Sequence, residues 1–188
     1  NGLKVIIQEN HSFPRIAINV VYDIGSHDDP IGKKGLASVM GHLMWQGSAN
    51  YNKDEHQKLI ETTGGWSDHH KYDIDDLLRF ENTIPADQSE LVFKLESDRM
   101  KSLIINSETV SNAKEKAINW LEKAQERPWW NNQVAFSSLW PKDHPYSFNE
   151  YGIIENIKSI SIEDCQVTFD KYFTPNNAIL VIVGDVDP

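Results

Sequence analysis

Apolar and polar residues alternate in two segments near the start of the chain, at residues 3–8 and 16–23. Such alternation is typical of strands with one buried face, and a turn around residues 10–14 makes a hairpin the natural pairing of the two. Residues 177–184 form a continuous apolar run rich in β-branched side chains, which predicts a central strand of a sheet. Two further strands are expected in the middle of the chain, at 66–72 and 74–83.

Between these strands, the apolar residues recur at the spacing of helices. In residues 35–48 the apolar positions recur at the spacing of one helical face, at Leu36, Val39, Met40 and Leu43. A second stripe runs through residues 107–125, at Val110, Ala113, Ala117, Leu121 and Ala124. Capping residues predict three more helix starts, at Asn52 with Glu55, at Asp87, and at Ser161 with Asp164. Because helices and strands interleave, we predict an α+β fold with helices on one face of a mixed, largely antiparallel sheet.

The composition limits the classes of function. A chain of 188 residues with 39% hydrophobic content fits one globular domain, and no linker or repeat divides residues 1–188. The net charge of -10 argues against binding to phosphate backbones or anionic lipid, so neither nucleic acid nor a membrane surface is expected. The single cysteine, Cys165, excludes an intrachain disulfide and a metal site built from cysteines.

The helix predicted at residues 35–48 has the layout of a metal-binding helix with most of its chemistry missing. A zinc peptidase helix needs two imidazoles one turn apart and a glutamate beside them that accepts a proton from the metal-bound water. In the inverted zinc motif this reads His-x-x-Glu-His. Residues 38–42 read Ser-Val-Met-Gly-His, so a hydroxyl (Ser38) replaces the first ligand and Gly41 replaces the base. His42 is the one remnant ligand.

The order of short motifs along the chain resembles the N-terminal half-domain of the insulinase/pitrilysin family of zinc peptidases (M16), which includes the mitochondrial processing peptidase. The resemblance runs nearly end to end and rests on Asn1-Gly2-Leu3, Gly25-Ser26, Gly35-Leu36-Ala37, Gly47, Gly64-Gly65, Asp98-Arg99-Met100 and Val183-Gly184-Asp185-Val186. It implies that residues 1–188 are a single M16-type domain and a fragment of a longer subunit with two such halves.

The resemblance also implies where the rest of a zinc site would lie. The family's third ligand, a distal glutamate, falls on Asn119, and its additional glutamate one heptad earlier falls on Asn112. A neutral amide brings no negative charge to offset the zinc ion. With Ser38, Gly41 and Asn119 in place of two ligands and the base, we expect no intact catalytic site and no bound metal or other cofactor.

A candidate substrate-binding edge follows Gly64-Gly65. In the family this edge strand pairs with the substrate backbone and usually carries Asn-Ala, where this chain has Asp68-His69. The imidazole of His69 is expected to obstruct an approaching strand or to change which chain docks there. The candidate residues are Ser67, Asp68, His69 and His70.

These patterns favour a non-catalytic homologue of an M16 zinc peptidase, a scaffold or peptide-binding partner of an active subunit or second half-domain. One alternative is an active zinc metalloendopeptidase with substitute ligands, for example His42 with His69 or His70. Another is a homodimeric interaction module unrelated to proteolysis. Analogy with exported bacterial members favours the periplasm.

Overall fold

The computed structural model describes residues 1–68, 76–142 and 144–187. These residues form five strands and seven α-helices, in the order β1 (Lys4–Glu9), β2 (Arg15–Tyr22), α1 (Leu36–Leu43), α2 (Glu55–Thr62), β3 (Trp66–Asp68), β4 (Leu78–Pro85), α3 (Ser89–Ser102), α4 (Ser107–Gln125), α5 (Trp130–Ser137), α6 (Ile154–Ser159), α7 (Ile162–Tyr172) and β5 (Ala178–Gly184). The predicted α+β class is confirmed. In the described part of the chain, no helix combines the length and apolar character needed to cross a membrane.

The five strands form one sheet in the order β1-β5-β2-β4-β3. Only β1 and β5 run parallel, and the other pairs are antiparallel, so the prediction of a mixed, largely antiparallel sheet is confirmed. The predicted hairpin of the first two strands is wrong, because β5 lies between β1 and β2. The apolar run of β5 pairs its backbone on both sides, as expected of a central strand, whereas β1 takes the edge and is exposed along its whole length.

The core lies on one face of this sheet. Every second residue of β2 is buried, from Ile16 to Tyr22, and β4 buries Leu78, Phe80 and Ile84 beside them. Helices α1 and α4 pack over one part of this face and α2 and α3 over the other, through two clusters of buried apolar side chains. The prediction of helices on one face is therefore confirmed.

Helix α1 is shorter than the predicted segment and has no solvent face. It ends at Leu43, and all eight of its residues are buried, including the polar Ser38 and His42. The apolar stripe of α4, from Val110 to Ala124, is buried as predicted and packs against α1. The loop before α1 is tied to the helix by Asp29, whose carboxylate accepts hydrogen bonds from the backbone N–H groups of Gly35 (2.6 Å) and Ala37 (2.8 Å).

The predicted helix starts are only partly right. Ser161 and Asp164 form the expected reciprocal cap of α7. Asp87 is not a cap, because a 3-10 turn over Ala86–Gln88 precedes α3 and Gln88 is its N-cap residue. The Glu55 carboxylate accepts the N–H of Asn52 at 2.8 Å, but α2 begins at Glu55 with Asp54 as its N-cap residue.

Candidate functional site

A cavity of about 400 Å³ opens where the end of α1, the loop that follows it, α2 and α4 meet. His42 reaches it from α1 and Asn119 from α4, so these two residues line the same cavity. Trp45, His56 and Arg99 form further parts of its wall. His42 itself is 5% exposed, and its helix is fixed on all sides by the core.

The remaining candidate ligand positions lie outside this cavity. Ser38 is 1% exposed and Gly41 is buried, and neither is part of the cavity wall. Asn112 is half-buried on α4 and is also absent from the wall. The structure therefore brings together His42 and Asn119, leaves Ser38 and Gly41 inside the helix packing, and leaves Asn112 half-buried on α4 away from the cavity.

The residues around His42 do not fit a zinc ion. Zinc sites use three or four imidazole, thiolate or carboxylate ligands. The described wall carries three side chains of these kinds, His42, His56 and Asp54, but they are not grouped closely enough to hold one ion, and Asn119 adds only a neutral amide. Among residues 1–68, 76–142 and 144–187, no group of three or more His, Cys, Asp or Glu side chains is arranged to hold a metal ion. The described cavity therefore supports no zinc-dependent step.

A buried ion pair supports the cavity floor. The Arg99 guanidinium donates from Nη2 to both carboxylate oxygens of Glu96, at 2.6 and 2.5 Å, and Asn82 donates to the same carboxylate at 2.8 Å. The guanidinium carbon also lies 4.6 Å from the ring centre of Trp45 and 4.3 Å from that of Phe80. Such contacts fix the position of the guanidinium.

The loop after α1 is held against α3 by the neighbouring acid, Asp98. Its carboxylate accepts hydrogen bonds from the Ser48 hydroxyl at 2.5 Å and from the Asn50 side chain at 2.6 Å. Partial burial alone would raise the pKa of Asp98, but these hydrogen bonds outweigh it and the pKa is lowered. Asp98 and Arg99 thus position one wall of the cavity. The sequence had marked both only as part of a family motif.

The candidate edge strand is β3, which pairs with β4 and lies at the end of the described sheet. The Ser67 hydroxyl points to the core side and donates to Asn82 Oδ1 at 2.5 Å. Asp68 is opposite Glu81, and Trp66 is 45% exposed. His69 and His70 lie outside the described residues.

Comparison with known proteins places this geometry in a family. The sequence model of the insulinase peptidases (peptidase family M16) matches residues 4–140. The chain belongs to family M16. Its relatives include the zinc protease PqqE of Helicobacter pylori. The two are 27% identical over an alignment 199 residues long, which covers all of this chain and 42% of the relative.

Solved M16 structures share the fold. A protease from Helicobacter pylori superposes with a TM-score of 0.90 at 24% identity, over 100% of this chain and 45% of the other. A domain from Pseudomonas fluorescens described as a peptidase M16 inactive domain superposes with a TM-score of 0.86 at 18% identity, over 99% of this chain and 45% of the other. The periplasmic protease PqqL of Escherichia coli superposes with a TM-score of 0.83 at 15% identity, over 99% of this chain and 21% of the other. The chain thus spans less than half the length of these M16 proteins.

Proposed function

We propose that this chain is a non-catalytic M16 half-domain that serves as a scaffold or peptide-binding wall for an active peptidase subunit or a second half-domain. The observation that carries the proposal is the cavity at His42. It holds the one remnant ligand and, at Asn119, a neutral amide where the family resemblance implies a glutamate. A cavity with these groups retains room for a peptide and lacks the zinc ligands and the general base.

Two features of the relatives support the proposal. A solved neighbour of the same fold is described as an inactive M16 domain. The matched proteins are also more than twice as long as this chain, which is consistent with a second half-domain beside it. The Escherichia coli neighbour is called a periplasmic protease, and this supports the periplasm as the proposed compartment.

The test is a peptidase assay with the purified chain, alone and mixed with an active M16 peptidase, on internally quenched peptides. We expect no hydrolysis by the chain alone and a change in the rate or substrate preference of the active enzyme on mixing. Hydrolysis by the chain alone that disappears in the His42→Ala variant would support substitute zinc ligands instead. A stable homodimer with no effect on the active enzyme would support the interaction module.

A further inference from the structure

We propose that the cavity at His42 binds an acidic peptide segment, with carboxylates of the peptide facing Arg99, Lys116 and Lys123. This inference rests on the proposed function, since it specifies the class of peptide that the non-catalytic cavity would hold.

Charge is distributed unevenly between the cavity and the rest of the chain. The chain carries a net charge of -10. In the described wall of the cavity, by contrast, Arg99, Lys116 and Lys123 are positive and Asp54 is negative. Glu96, which is not part of the wall, balances the charge of Arg99, so the two lysines supply the positive excess. A concave site lined by one sign of charge concentrates ligands of the opposite sign. The described wall is therefore a positive surface on an acidic molecule, and it disfavours both a zinc ion and a basic peptide.

Arg99 has hydrogen-bonding capacity that the described residues do not use. Its side chain is 2% exposed, and Nη2 is occupied by Glu96. Within the described part of the protein, Nε and Nη1 have no hydrogen-bond partner. Leaving buried donors unsatisfied is costly, and a carboxylate is the group that a guanidinium binds best. Because Arg99 forms part of the cavity wall, a carboxylate that enters the cavity approaches this guanidinium.

The spacing of the two lysines favours a peptide over a single small anion. Lys116 and Lys123 lie on α4 on either side of Asn119 and are seven residues apart. Seven residues of helix rise about 10.5 Å. A peptide in the polyproline II conformation has three residues per turn and rises about 3.1 Å per residue, so acidic side chains three positions apart lie on one face about 9.3 Å apart and match this separation. Tyr51 and Trp120 line the same cavity and offer aromatic contact area to a peptide.

The test compares three fluorescently labelled peptides that differ only at two positions, three residues apart, which carry glutamate, glutamine or lysine. Binding to the purified chain is measured by fluorescence anisotropy at low and high salt. We expect the glutamate peptide to bind most tightly and its affinity to fall as salt rises. In the Lys116→Gln/Lys123→Gln variant we expect its affinity to fall about five- to tenfold, with a smaller dependence on salt.

The matched control is the Lys4→Gln/Lys142→Gln variant. It changes the net charge by the same amount at two exposed lysines that are not part of the cavity wall, and it should bind the glutamate peptide as the unmodified chain does. Equal binding of the glutamate and glutamine peptides, or equal losses in both variants, would overturn the acidic preference but leave peptide binding intact. If the chain binds inorganic phosphate but none of the three peptides, the peptide assignment is overturned. The peptidase mixing assay tests the scaffold role separately.

Discussion

Asp29 is the residue that fixes where α1 begins, and it does so as a buried acid. It is 6% exposed, and its carboxylate accepts the N–H groups of Gly35 and Ala37 at the first turn of the helix. Burial raises the pKa of Asp29 to about 6 from an ordinary value of 3.8, although the backbone N–H groups oppose the rise. The folded protein therefore holds this proton more tightly than the unfolded chain does.

This difference predicts a pH dependence of stability. The contribution of Asp29 is fully present below its unfolded pKa of 3.8 and is lost as the pH rises through about 6. A rise of about two in pKa corresponds to about 3 kcal/mol of unfolding free energy. In Asp29→Asn, which cannot titrate, we expect the change in unfolding free energy between pH 4.5 and 7 to shift by about 2 kcal/mol, because pH 4.5 already lies above the unfolded pKa. Urea denaturation at both pH values measures it.

The control for this prediction is Asp87→Asn, because Asp87 is an exposed aspartate outside the α1 cap. It should leave the pH dependence as it is in the unmodified chain. If Asp29→Asn also left it unchanged, Asp29 would have the same pKa in the folded and unfolded states.

Site residues that belong to a recognisable motif could be predicted from the sequence. Site residues whose role depends on burial by distant parts of the chain could not. The zinc motif pointed to His42 and the family resemblance to Asn119, and both residues line one cavity in the structure. Arg99 and Glu96 are a buried pair three residues apart on α3, where such a spacing is also typical of an ordinary exposed pair. Nothing local marks them as buried, because their burial depends on Trp45 and Phe80 from other elements.

At the scale of elements, two glycines determine how the chain enters α1. Gly35 has a positive φ of 104° and Gly152 a positive φ of 95°. A Cβ on Gly152 would lie 2.3 Å from Gly35 Cα and 2.5 Å from the carbonyl oxygen of Lys34. Real side chains do not approach so closely, so the segment before α6 contacts the start of α1 only because both residues lack a side chain.

Gly152→Ala should therefore destabilise the protein by more than conformational strain alone. We expect a loss of about 3 kcal/mol in unfolding free energy, because the backbone of Gly35 would have to move. The matched control is Gly32→Ala, where φ is 82° and nothing lies within 4 Å of the added Cβ. That variant should lose about 1 kcal/mol. Equal losses in thermal or urea denaturation would show that the Gly35–Gly152 contact does not limit packing.

The positions of the elements followed from local periodicity, and their pairing did not. The buried stripe of α4 and the alternation of β2 are properties of neighbouring residues, and both predictions are confirmed. The hairpin was wrong because β5, the last strand, occupies the place beside β2. Strand order depends on contacts between segments that are far apart in the chain, and the local sequence pattern carries little information about those contacts.

For the whole molecule, the family and the fold are well defined. The proposed non-catalytic function depends on the loss of the zinc site. The chain belongs to family M16, yet the described cavity at His42 has the wrong groups for the metal. The resemblance assigns the missing groups to Ser38, Gly41 and Asn119, on two helices that pack together. If this register is right, the three changes Ser38→His, Gly41→Glu and Asn119→Glu should together rebuild the site.

Zinc content per chain tests this claim most directly. The unmodified chain and the triple variant are equilibrated with zinc, freed of unbound metal and measured by elemental analysis, with circular dichroism to show that both are folded. We expect no stoichiometric zinc in the unmodified chain and one zinc per chain in the triple variant. A folded triple variant without zinc would show that the register is wrong. One zinc per unmodified chain, lost in His42→Ala, would contradict the loss of the metal site.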